Sequence, residues 1–484
     1  MIQSERIKCL NTASINHNGK FVVYWMQSSV RTRYNHALTY AIMKANELKQ
    51  PLIVYFGLVD SFPEANLRHY RFLAEGLYDV KKELERKRIK FIIAHVRSHS
   101  EALTKICAEA SVLVTDRGYL KIQKEWRREA ATKIKCAFMQ IESDVVVPVE
   151  TASNKEEFAA RTIRPKITKL LRGFLIELPE CEVLKPSFEM PDDFFCGPNR
   201  NNGFKILNLN SYSEIKDILG VLNIDRTVRE SNYYKGGQNE AERRLAEFIG
   251  LKLEKYAELR NDPSLGWLSE MSPYLHFGNI SPLKIAIGLQ DISESVKEKY
   301  LEEVIVRREL AVNFCEYNSE YDTINAIPDW AKITLEKHSN DTRGYVYDRA
   351  GFEMAMTHDH YWNAAQLEMT ATGKMHNYMR MYWGKKIIEW SRTPEEAFET
   401  MIYLNNKYEL DGRDPNSFTG VAWCFGKHDR PWFERPVLGN LRYMNENGLK
   451  RKFNIDDYVK KIAVICQKEN IVLGSLTHLM SKNL

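Results

Sequence analysis

The sequence predicts an α/β domain with a doubly wound, Rossmann-like, parallel five-stranded sheet, followed by a large all-α domain. Three observations support this prediction. The chain has 484 residues, more than one hydrophobic core normally organises, so two domains are expected. Short apolar runs alternate with amphipathic stretches over the first 150 residues, and the pattern becomes largely helical after Gln238.

The α/β domain is predicted over residues 1–150. Five apolar runs of strand length predict strands over 21–26, 52–56, 91–94, 112–115 and 138–141. Helical patterns lie between them, for example over 70–87. No GxGxxG follows the first strand and no GxxxxGK[ST] occurs in the chain. The sequence therefore gives no support to a dinucleotide site of that type or to a P-loop.

Residues 151–237 are predicted to connect the domains, because prolines recur at 179, 186, 191 and 198 and residues 198–203 have a loop composition. Residues 238–484 are predicted to form the helical domain. Its clearest helical patterns cover 240–259, 282–289, 296–315, 394–405 and 456–469. Gly373 separates two further patterns, over 364–368 and 374–390, and is expected to end the first helix.

The composition predicts a soluble, reduced protein. Hydrophobic residues make up 44% and charged residues 27% of the chain, and no apolar run approaches the length of a membrane span. The N-terminus lacks the apolar core of a signal peptide. The eight cysteines include no CxxC pair, which argues against a zinc or disulfide framework. We therefore expect a cytoplasmic protein, or a nuclear one in a eukaryotic cell.

Positive charge is concentrated near the C-terminus. The formal net charge is +5, and the segment 427–452 holds seven Lys or Arg against three acidic residues. Such a segment suits contact with nucleic acid, although a solvated basic surface is an equally simple interpretation.

Four tryptophans lie within about sixty residues of helical sequence that begins at Trp330. Trp383 and Trp390 are seven residues apart and share a helix face, and Trp362 belongs to the preceding helix. One interpretation is a stripe of core residues. The other is a chain of oxidisable rings that leads from a buried acceptor towards the surface.

Long ordered motifs favour the second interpretation. They cover residues 357–369, 373–390 and 408–416, and the last reads Tyr-Glu-Leu-Asp-Gly-Arg-Asp-Pro-Asn. Shorter matches occur at 272–278, 306–310, 313–315 and 428–430. Together they resemble the class II cyclobutane pyrimidine dimer photolyases, over most of the chain and most strongly from about Tyr256. That family has the two-domain architecture predicted above.

The resemblance implies an enzyme, a deoxyribodipyrimidine photo-lyase, that repairs DNA with blue or near-ultraviolet light. Photoexcited, fully reduced FAD would give one electron to a pyrimidine dimer that is flipped out of the duplex. The implied partner is UV-damaged DNA, bound by a monomer without any membrane contact. An antenna chromophore is also expected in the N-terminal domain, with 8-hydroxy-5-deazaflavin ahead of folate.

The resemblance also implies a set of FAD-binding residues. They are Tyr256, Leu268, Ser269, Glu270, Met271, Ser272, Asn377, Arg380 and Asp411. Ser272 precedes a proline and is expected to cap a helix whose free N–H groups suit a diphosphate. Asn377 and Arg380 are three residues apart and share a helix face. Asp411 is expected to pair with Arg380 and to accept a hydrogen bond from the flavin ring.

Further residues are implied in catalysis and DNA binding. Asn405, or its neighbour Asn406, would face flavin N5, and Glu303 would contact the dimer, where desolvation would raise its pKa. Trp362, Trp383 and Trp390 would photoreduce the flavin. The residues expected at the lesion or the duplex are Arg260, Met381, Trp423, Arg430, Trp432 and Arg442.

Residues 358–360 read His-Asp-His, but three consecutive residues of a regular helix cannot all face one ion, so no metal site is assigned. Two other classes of protein remain as alternatives. A cryptochrome-like flavin photoreceptor would share the fold and the flavin. A light-independent helical DNA-binding protein would explain the basic segment but not the flavin motifs.

Overall fold

The computed structural model describes residues 2–191 and 204–471 of the chain. The loop predicted over 198–203 and Cys196 lie outside the described residues. The described strands form one sheet in the order β1-β6-β5-β2-β3-β4-β7. They are β1 Ile7–Cys9, β2 Phe21–Trp25, β3 Leu52–Leu58, β4 Lys90–Val96, β5 Ala110–Asp116, β6 Ala137–Ile141 and β7 Phe204–Ile206.

The five predicted strands, β2 to β6, are present and parallel. Every residue of β2, β3 and β5 is buried, as expected for a parallel sheet that is covered on both faces. Two short antiparallel strands that the sequence did not predict extend the sheet, β1 beside β6 and β7 beside β4. Because β2 pairs with both β3 and β5, the strand order reverses at β2, where open α/β sheets form a crevice.

Helices cover both faces of this sheet. They span His36–Glu47, Leu67–Arg86, His99–Ile106 and Lys121–Lys133. The second of them confirms the helix predicted over 70–87. It begins three residues earlier because Asn66 and His69 form a reciprocal cap at its N-terminus.

Residues 151–237 contain more regular structure than the prediction of a connection suggests. Beyond the short helix Val149–Ala152, they include helices Ala160–Phe174 and Ile215–Val221, a 3₁₀ turn at Tyr212–Glu214, and β7. β7 pairs with the sheet, and the Ile215–Val221 helix packs against the Leu67–Arg86 helix. This segment therefore contributes to the sheet and its cover, and the domain boundaries stay a prediction.

The described residues after 237 are predominantly helical. The helices there span Gln238–Leu251, Leu253–Leu259, Ser272–His276, Pro282–Ile287, Glu294–Leu301, Arg308–Tyr317, Asp329–Lys337, Arg349–Glu353, His360–Thr372, Asn377–Trp390, Pro394–Tyr408, Pro415–Cys424, Glu446–Lys452 and Ile455–Lys468. A π-helical turn at Glu302–Arg307 joins two of them, and Ile324–Ala326 forms a 3₁₀ turn.

Three details differ from the sequence prediction or refine it. The helix predicted over 240–259 is interrupted at Lys252, whose backbone departs from helical geometry (φ −125°, ψ −28°). The helix that carries Asn405 continues to Tyr408, so Asn405 lies in its last turn and not at its end. Gly373 ends its helix as predicted, with φ +90°, a left-handed conformation that costs glycine little.

The described residues contain no helix with the length and apolar character needed to cross a bilayer. Nor does the described part of the chain contain three His, Cys, Asp or Glu side chains arranged to hold a metal ion. Asp359 of the His-Asp-His sequence caps the His360–Thr372 helix by accepting the N–H groups of Tyr361 and Trp362.

Candidate functional site

An open cavity of about 880 Å³ lies in the helical region. All nine residues predicted to bind the cofactor line it, together with Glu303. The other lining residues are Leu275, Tyr300, Val304, Arg307, Arg308, Lys374, Asp414, Asn416 and Ser417. We call this the central cavity.

A buried charge cluster forms one wall of the central cavity. Arg380 Nη2 lies 3.1 Å from Asp411 Oδ1, the predicted ion pair, and 2.9 Å from Glu409 Oε2. Lys374 Nζ lies 2.9 Å from the Ser272 hydroxyl and 3.9 Å from Asp411 Oδ2. Burial alone would raise the pKa of Asp411, but the cations of Arg380 and Lys374 hold it well below its ordinary value.

The second carboxyl group of the cluster behaves differently. Burial raises the pKa of Glu409 to about 8, against the opposing effect of Arg380 and with the support of the neighbouring Asp411. At neutral pH Glu409 therefore keeps its proton while Asp411 is ionised. The cluster then holds two cations and one anion, and its net positive charge favours a ligand that carries negative charge.

The segment from Leu268 to Ser272 forms another wall, and here one prediction was wrong. Ser272 is the first residue of the five-residue Ser272–His276 helix, and Met271 occupies the cap position without a side-chain cap. The Ser272 hydroxyl is instead hydrogen-bonded by Lys374. Ser272 thus contributes through the charge cluster and not as a helix cap.

Several residues in or behind the wall of the central cavity escaped the sequence analysis. Lys374 and Glu409 both lie inside the recognised motifs, but their roles depend on burial, which the motifs do not reveal. Asp414 is also buried, with Arg308 Nη1 at 3.7 Å and His276 Nδ1 at 3.4 Å. Burial opposes the effect of these two groups, yet the pKa of Asp414 falls to about 2.

Glu303 lies in the π-helical turn beside the cavity. Its Oε1 accepts a hydrogen bond of 2.8 Å from Arg260 Nη1, and its side chain is 40% exposed. The Arg260 guanidinium also lies 5.5 Å from the centre of the Tyr256 ring. π-Helical turns frequently occur at functional sites. This one places Glu303 at the cavity, beside Arg260, which is not among the described residues that line it.

The structure distinguishes Asn405 from Asn406. Asn405 is buried and its amide donates a hydrogen bond to the hydroxyl of Ser417, which lines the central cavity. Asn406 points elsewhere, because its amide donates to Glu64 of the α/β domain. Asn405 is therefore the asparagine on the cavity side, although it does not itself line the cavity.

Met381 and Trp423 lie close to the central cavity but are absent from the described residues that line it. Trp423 is half-buried, and the guanidinium of the lining residue Arg307 stands 5.3 Å from its ring centre. Met381 directly follows Arg380 and packs against the hydrophobic core of the helical region.

Trp432 belongs to an exposed basic loop. The guanidinium groups of Arg430 and Arg442 each stand 5.3 Å from its ring centre, and the residue is 37% exposed. The backbone N–H of Trp432 donates to the carbonyl of Asn440 at 2.8 Å, which closes the loop. Phe433 at its tip is 88% exposed. An exposed aromatic surface flanked by cations suits stacking against bases.

The three predicted tryptophans form a continuous chain of buried rings. The ring centres of Trp362 and Trp383 are 6.3 Å apart, and those of Trp362 and Trp390 are 6.2 Å apart. Trp362 is therefore the middle member. Its Nε1 donates to the Trp383 carbonyl at 3.0 Å, and Trp383 Nε1 donates to Gln366 Oε1 at 2.9 Å. These bonds fix the orientation of both indoles.

A second cavity, of about 800 Å³, lies where β2 and β3 end, in the crevice that the strand order creates. Its described lining is mainly apolar and aromatic and includes no Asp or Glu. Phe277 and Arg413 close it from the helical region. Trp25 Nε1, Gln27 Nε2 and both ring nitrogens of His99 have no hydrogen-bond partner in the described residues. We call this the sheet-end cavity.

Residues 22–185 match the family model described as DNA photolyase. A deoxyribodipyrimidine photo-lyase of Methanothermobacter thermautotrophicus is 49% identical over 462 residues, which cover 96% of this chain and 99% of that protein. A photolyase of Sulfolobus tokodaii solved with two FAD molecules has a TM-score of 0.67 at 14% identity, covering 96% of this chain and 94% of that one. A Synechocystis cryptochrome also has a TM-score of 0.67, at 13% identity, with 95% of each chain covered.

Proposed function

This chain belongs to the DNA photolyase family, and we propose that it is a class II enzyme that repairs cyclobutane pyrimidine dimers. Electron transfer from photoexcited, reduced FAD to the flipped-out dimer would open the ring. One observation carries the proposal: the central cavity gathers all nine residues that the class II motifs implied for the flavin. These residues are distributed between Tyr256 and Asp411.

The lining of the central cavity fits FAD. Arg380 and Lys374 provide buried positive charge for an anionic ligand, and the ionised Asp411 provides an acceptor for a ring N–H. The hydroxyls of Ser269 and Ser272 suit a polar chain or a diphosphate. Bound FAD would supply the one-electron chemistry, while the protein binds it, orients it and fixes the charge around it.

The lesion would enter where Glu303 and Arg260 stand. There Glu303 would contact the pyrimidine carbonyls of the dimer, with the Arg260 guanidinium beside it. Met381 and Trp423 would pack near the extruded bases. Trp432, between Arg430 and Arg442, would contact the duplex from which the dimer has been extruded.

We further propose that the sheet-end cavity holds the antenna chromophore, and that 8-hydroxy-5-deazaflavin fits it better than folate. A planar tricyclic ring suits the aromatic lining, and the unpartnered Trp25 and Gln27 groups offer hydrogen-bond donors. The glutamate carboxylates of a folate would find one cationic partner there. Arg413 is the one Lys or Arg among the described lining residues. The enzyme would act as a monomer, in the cytoplasm or, in a eukaryote, the nucleus.

The test is direct. The purified protein should show the visible absorption of non-covalent FAD, and dimers in irradiated DNA should be lost in light but not in darkness. A preparation that gains no flavin on reconstitution would contradict the cofactor assignment. The shared fold of the Synechocystis cryptochrome supports a second candidate, a flavin photoreceptor. A flavin-containing protein that repairs no dimer in light would favour that candidate.

A further inference from the structure

The tryptophan chain does not end at the surface. Trp390, its outer member, is only 3% exposed. Beyond it lie His358, whose ring centre is 4.7 Å from that of Trp390, and Tyr347, at 5.9 Å. The backbone N–H of Tyr347 also donates to the Trp390 carbonyl at 3.0 Å. Tyr347 and His358 are therefore held in direct contact with the end of the chain.

Tyr347 and His358 form a hydrogen-bonded pair. The Tyr347 hydroxyl lies 2.9 Å from His358 Nδ1, and the backbone N–H of His358 donates to the same oxygen at 2.9 Å. Since the oxygen already accepts that N–H, its own proton is directed to Nδ1. With the ring proton on Nε2, Nδ1 is free to accept it.

His358 is suited to accept this proton at neutral pH. Desolvation among the surrounding rings lowers its pKa, with the support of the Lys386 cation and against the carboxylates of Asp359, Glu389 and Glu446. The imidazole is therefore neutral before the reaction. Tyr345 stacks on the other face of the ring, with centres 3.5 Å apart, and holds it in place.

We propose that Tyr347 is the terminal electron donor of the tryptophan chain and that His358 is its proton acceptor. One electron passes from Tyr347 to the oxidised Trp390, the phenolic O–H bond breaks, and the proton moves to His358 Nδ1. Trp390 is restored, and a neutral tyrosyl radical and an imidazolium remain, so charge and electrons balance. Proton transfer to His358 avoids forming a phenol radical cation and makes return of the electron slower.

This inference rests on the proposed photoreduction, because that reaction is what oxidises Trp390. It adds a route by which a soluble reductant can supply an electron to the end of the tryptophan chain. His358 and Trp390 line an open cleft of about 1170 Å³, whose rim includes the half-exposed Tyr345. A soluble reductant such as a thiol can reach the pair there and reduce the tyrosyl radical.

Two other tyrosines lie nearby and serve to test the assignment. Among the described residues, the Tyr345 hydroxyl has no hydrogen-bond partner, although its ring stacks on His358. The Tyr382 hydroxyl donates to the Asp359 carboxylate. Asp359 already accepts two backbone N–H groups and is a weaker base than imidazole. Of these three tyrosines, only Tyr347 combines ring contact with Trp390 and a hydrogen bond to a neutral imidazole.

The experiment is electron paramagnetic resonance of the illuminated, flavin-containing protein. Wild type and Tyr345→Phe should both give a tyrosyl spectrum whose decay slows in D₂O. Tyr347→Phe should lose that spectrum and show a tryptophanyl radical that decays faster. His358→Phe keeps an aromatic ring in the stack but removes Nδ1, and should likewise lose the tyrosyl signal.

Two outcomes would overturn the inference. The first is a tryptophanyl radical and no tyrosyl radical in wild type. The second is a tyrosyl signal that persists in Tyr347→Phe, which would assign it to another residue. The same variants are assayed for dimer repair after chemical reduction of the flavin. Repair in light without any tyrosyl radical would leave the proposed function standing and reject only the role of Tyr347.

Discussion

The two cavities have similar volumes, about 880 and 800 Å³, but opposite chemistry. The central cavity is lined by cations and carboxylates that contact one another, whereas the sheet-end cavity is largely apolar. Two of its histidines are uncharged, because burial lowers the pKa of His99 to about 3 and that of His69 well below its ordinary value. Cavity volume therefore does not distinguish the ligands that the two cavities suit, whereas the charge state of the ionisable lining groups does.

The charged lining of the central cavity carries a free-energy cost of desolvation. Buried charges are desolvated, and their mutual attraction offsets this cost only when the partners are all in place. The cluster of Arg380, Asp411 and Lys374 is thus expected to depend strongly on each of its ion-pair partners. In the sheet-end cavity, by contrast, Trp25, Gln27 and His99 carry neutral groups that lack hydrogen-bond partners in the described residues, and a bound chromophore would satisfy them.

The largest effect is expected from Asp411→Asn. It leaves Arg380 and Lys374 without their ionised partner, and breaking a buried pair costs roughly 3 to 5 kcal/mol. FAD content, measured by visible absorption, should fall strongly. Asp144→Asn is the matched control, because Asp144 forms a buried pair with Arg31 at 2.7 Å outside both cavities. It should lower thermal stability but keep FAD; loss of FAD in both variants would indicate a general folding defect.

Trp383→Phe should suppress photoreduction of oxidised FAD by on the order of tenfold or more, which requires a barrier only about 1.4 kcal/mol higher. A phenyl ring is much harder to oxidise than an indole. Repair by chemically pre-reduced enzyme should persist. Trp25→Phe, in the sheet-end cavity, should leave photoreduction unchanged. Equal loss of photoreduction and repair in Trp383→Phe would make this tryptophan structural.

Leu73→Trp should fill part of the sheet-end cavity and displace the second chromophore, at a stability cost of roughly 1 to 3 kcal/mol from overpacking. FAD should remain. Mass analysis of released small molecules measures both. Leu171→Trp places the same bulk at a half-buried position outside both cavities and should retain both molecules. A second chromophore that survives Leu73→Trp would place its site elsewhere.

Trp423→Ala should lower the ratio of damaged to undamaged DNA affinity, since stacking is worth roughly 1 to 3 kcal/mol per base. Neutralising Lys450, Arg451 and Lys452 should instead weaken both affinities together and reduce their salt dependence. That loss should be modest, because Lys450 already pairs with Glu446 at 2.5 Å. Titrations with both duplexes at two salt concentrations test this. An unchanged ratio in Trp423→Ala would mean that the lesion pocket does not include Trp423.

The last prediction concerns pH. Folded Glu409 keeps its proton up to about pH 8, whereas the unfolded chain releases it near its ordinary pKa of 4.5. The folded state then binds more protons, so stability should fall as pH rises from about 4.5 to 8. Glu409→Gln should reduce this slope in denaturant titrations. His99→Gln should instead make the fall steeper below about pH 6.5, because His99 is neutral when folded and protonated when unfolded. A slope that is unchanged in Glu409→Gln would mean that Glu409 is ionised when folded.

Glu309 must be measured in parallel. Burial also raises its pKa to about 8, in a site outside both cavities where it accepts the N–H groups of Val146 and Val147. Its contribution to the pH dependence has the same sign. Glu309→Gln should therefore reduce the slope independently, and the double variant should be close to the sum of the two, since the groups are not in contact.

The sequence by itself determined the five parallel strands, most of the helices and the end of a helix at Gly373. These features depend on local periodicity and on backbone preferences that each segment carries alone. The motifs also identified the lining of the central cavity, but through resemblance to a family and not through spacing. Periodicity would have read Arg380 and Asp411 as an ordinary surface charge and an ordinary turn.

Only the tertiary structure decided which groups meet and how much water they keep. It placed Trp362 between Trp383 and Trp390, and it assigned the proton of the charge cluster to Glu409. It also formed the sheet-end cavity from residues as distant in sequence as Trp25 and Arg413. Desolvation and contact depend on every neighbour in space, so no local pattern in the sequence could have predicted them.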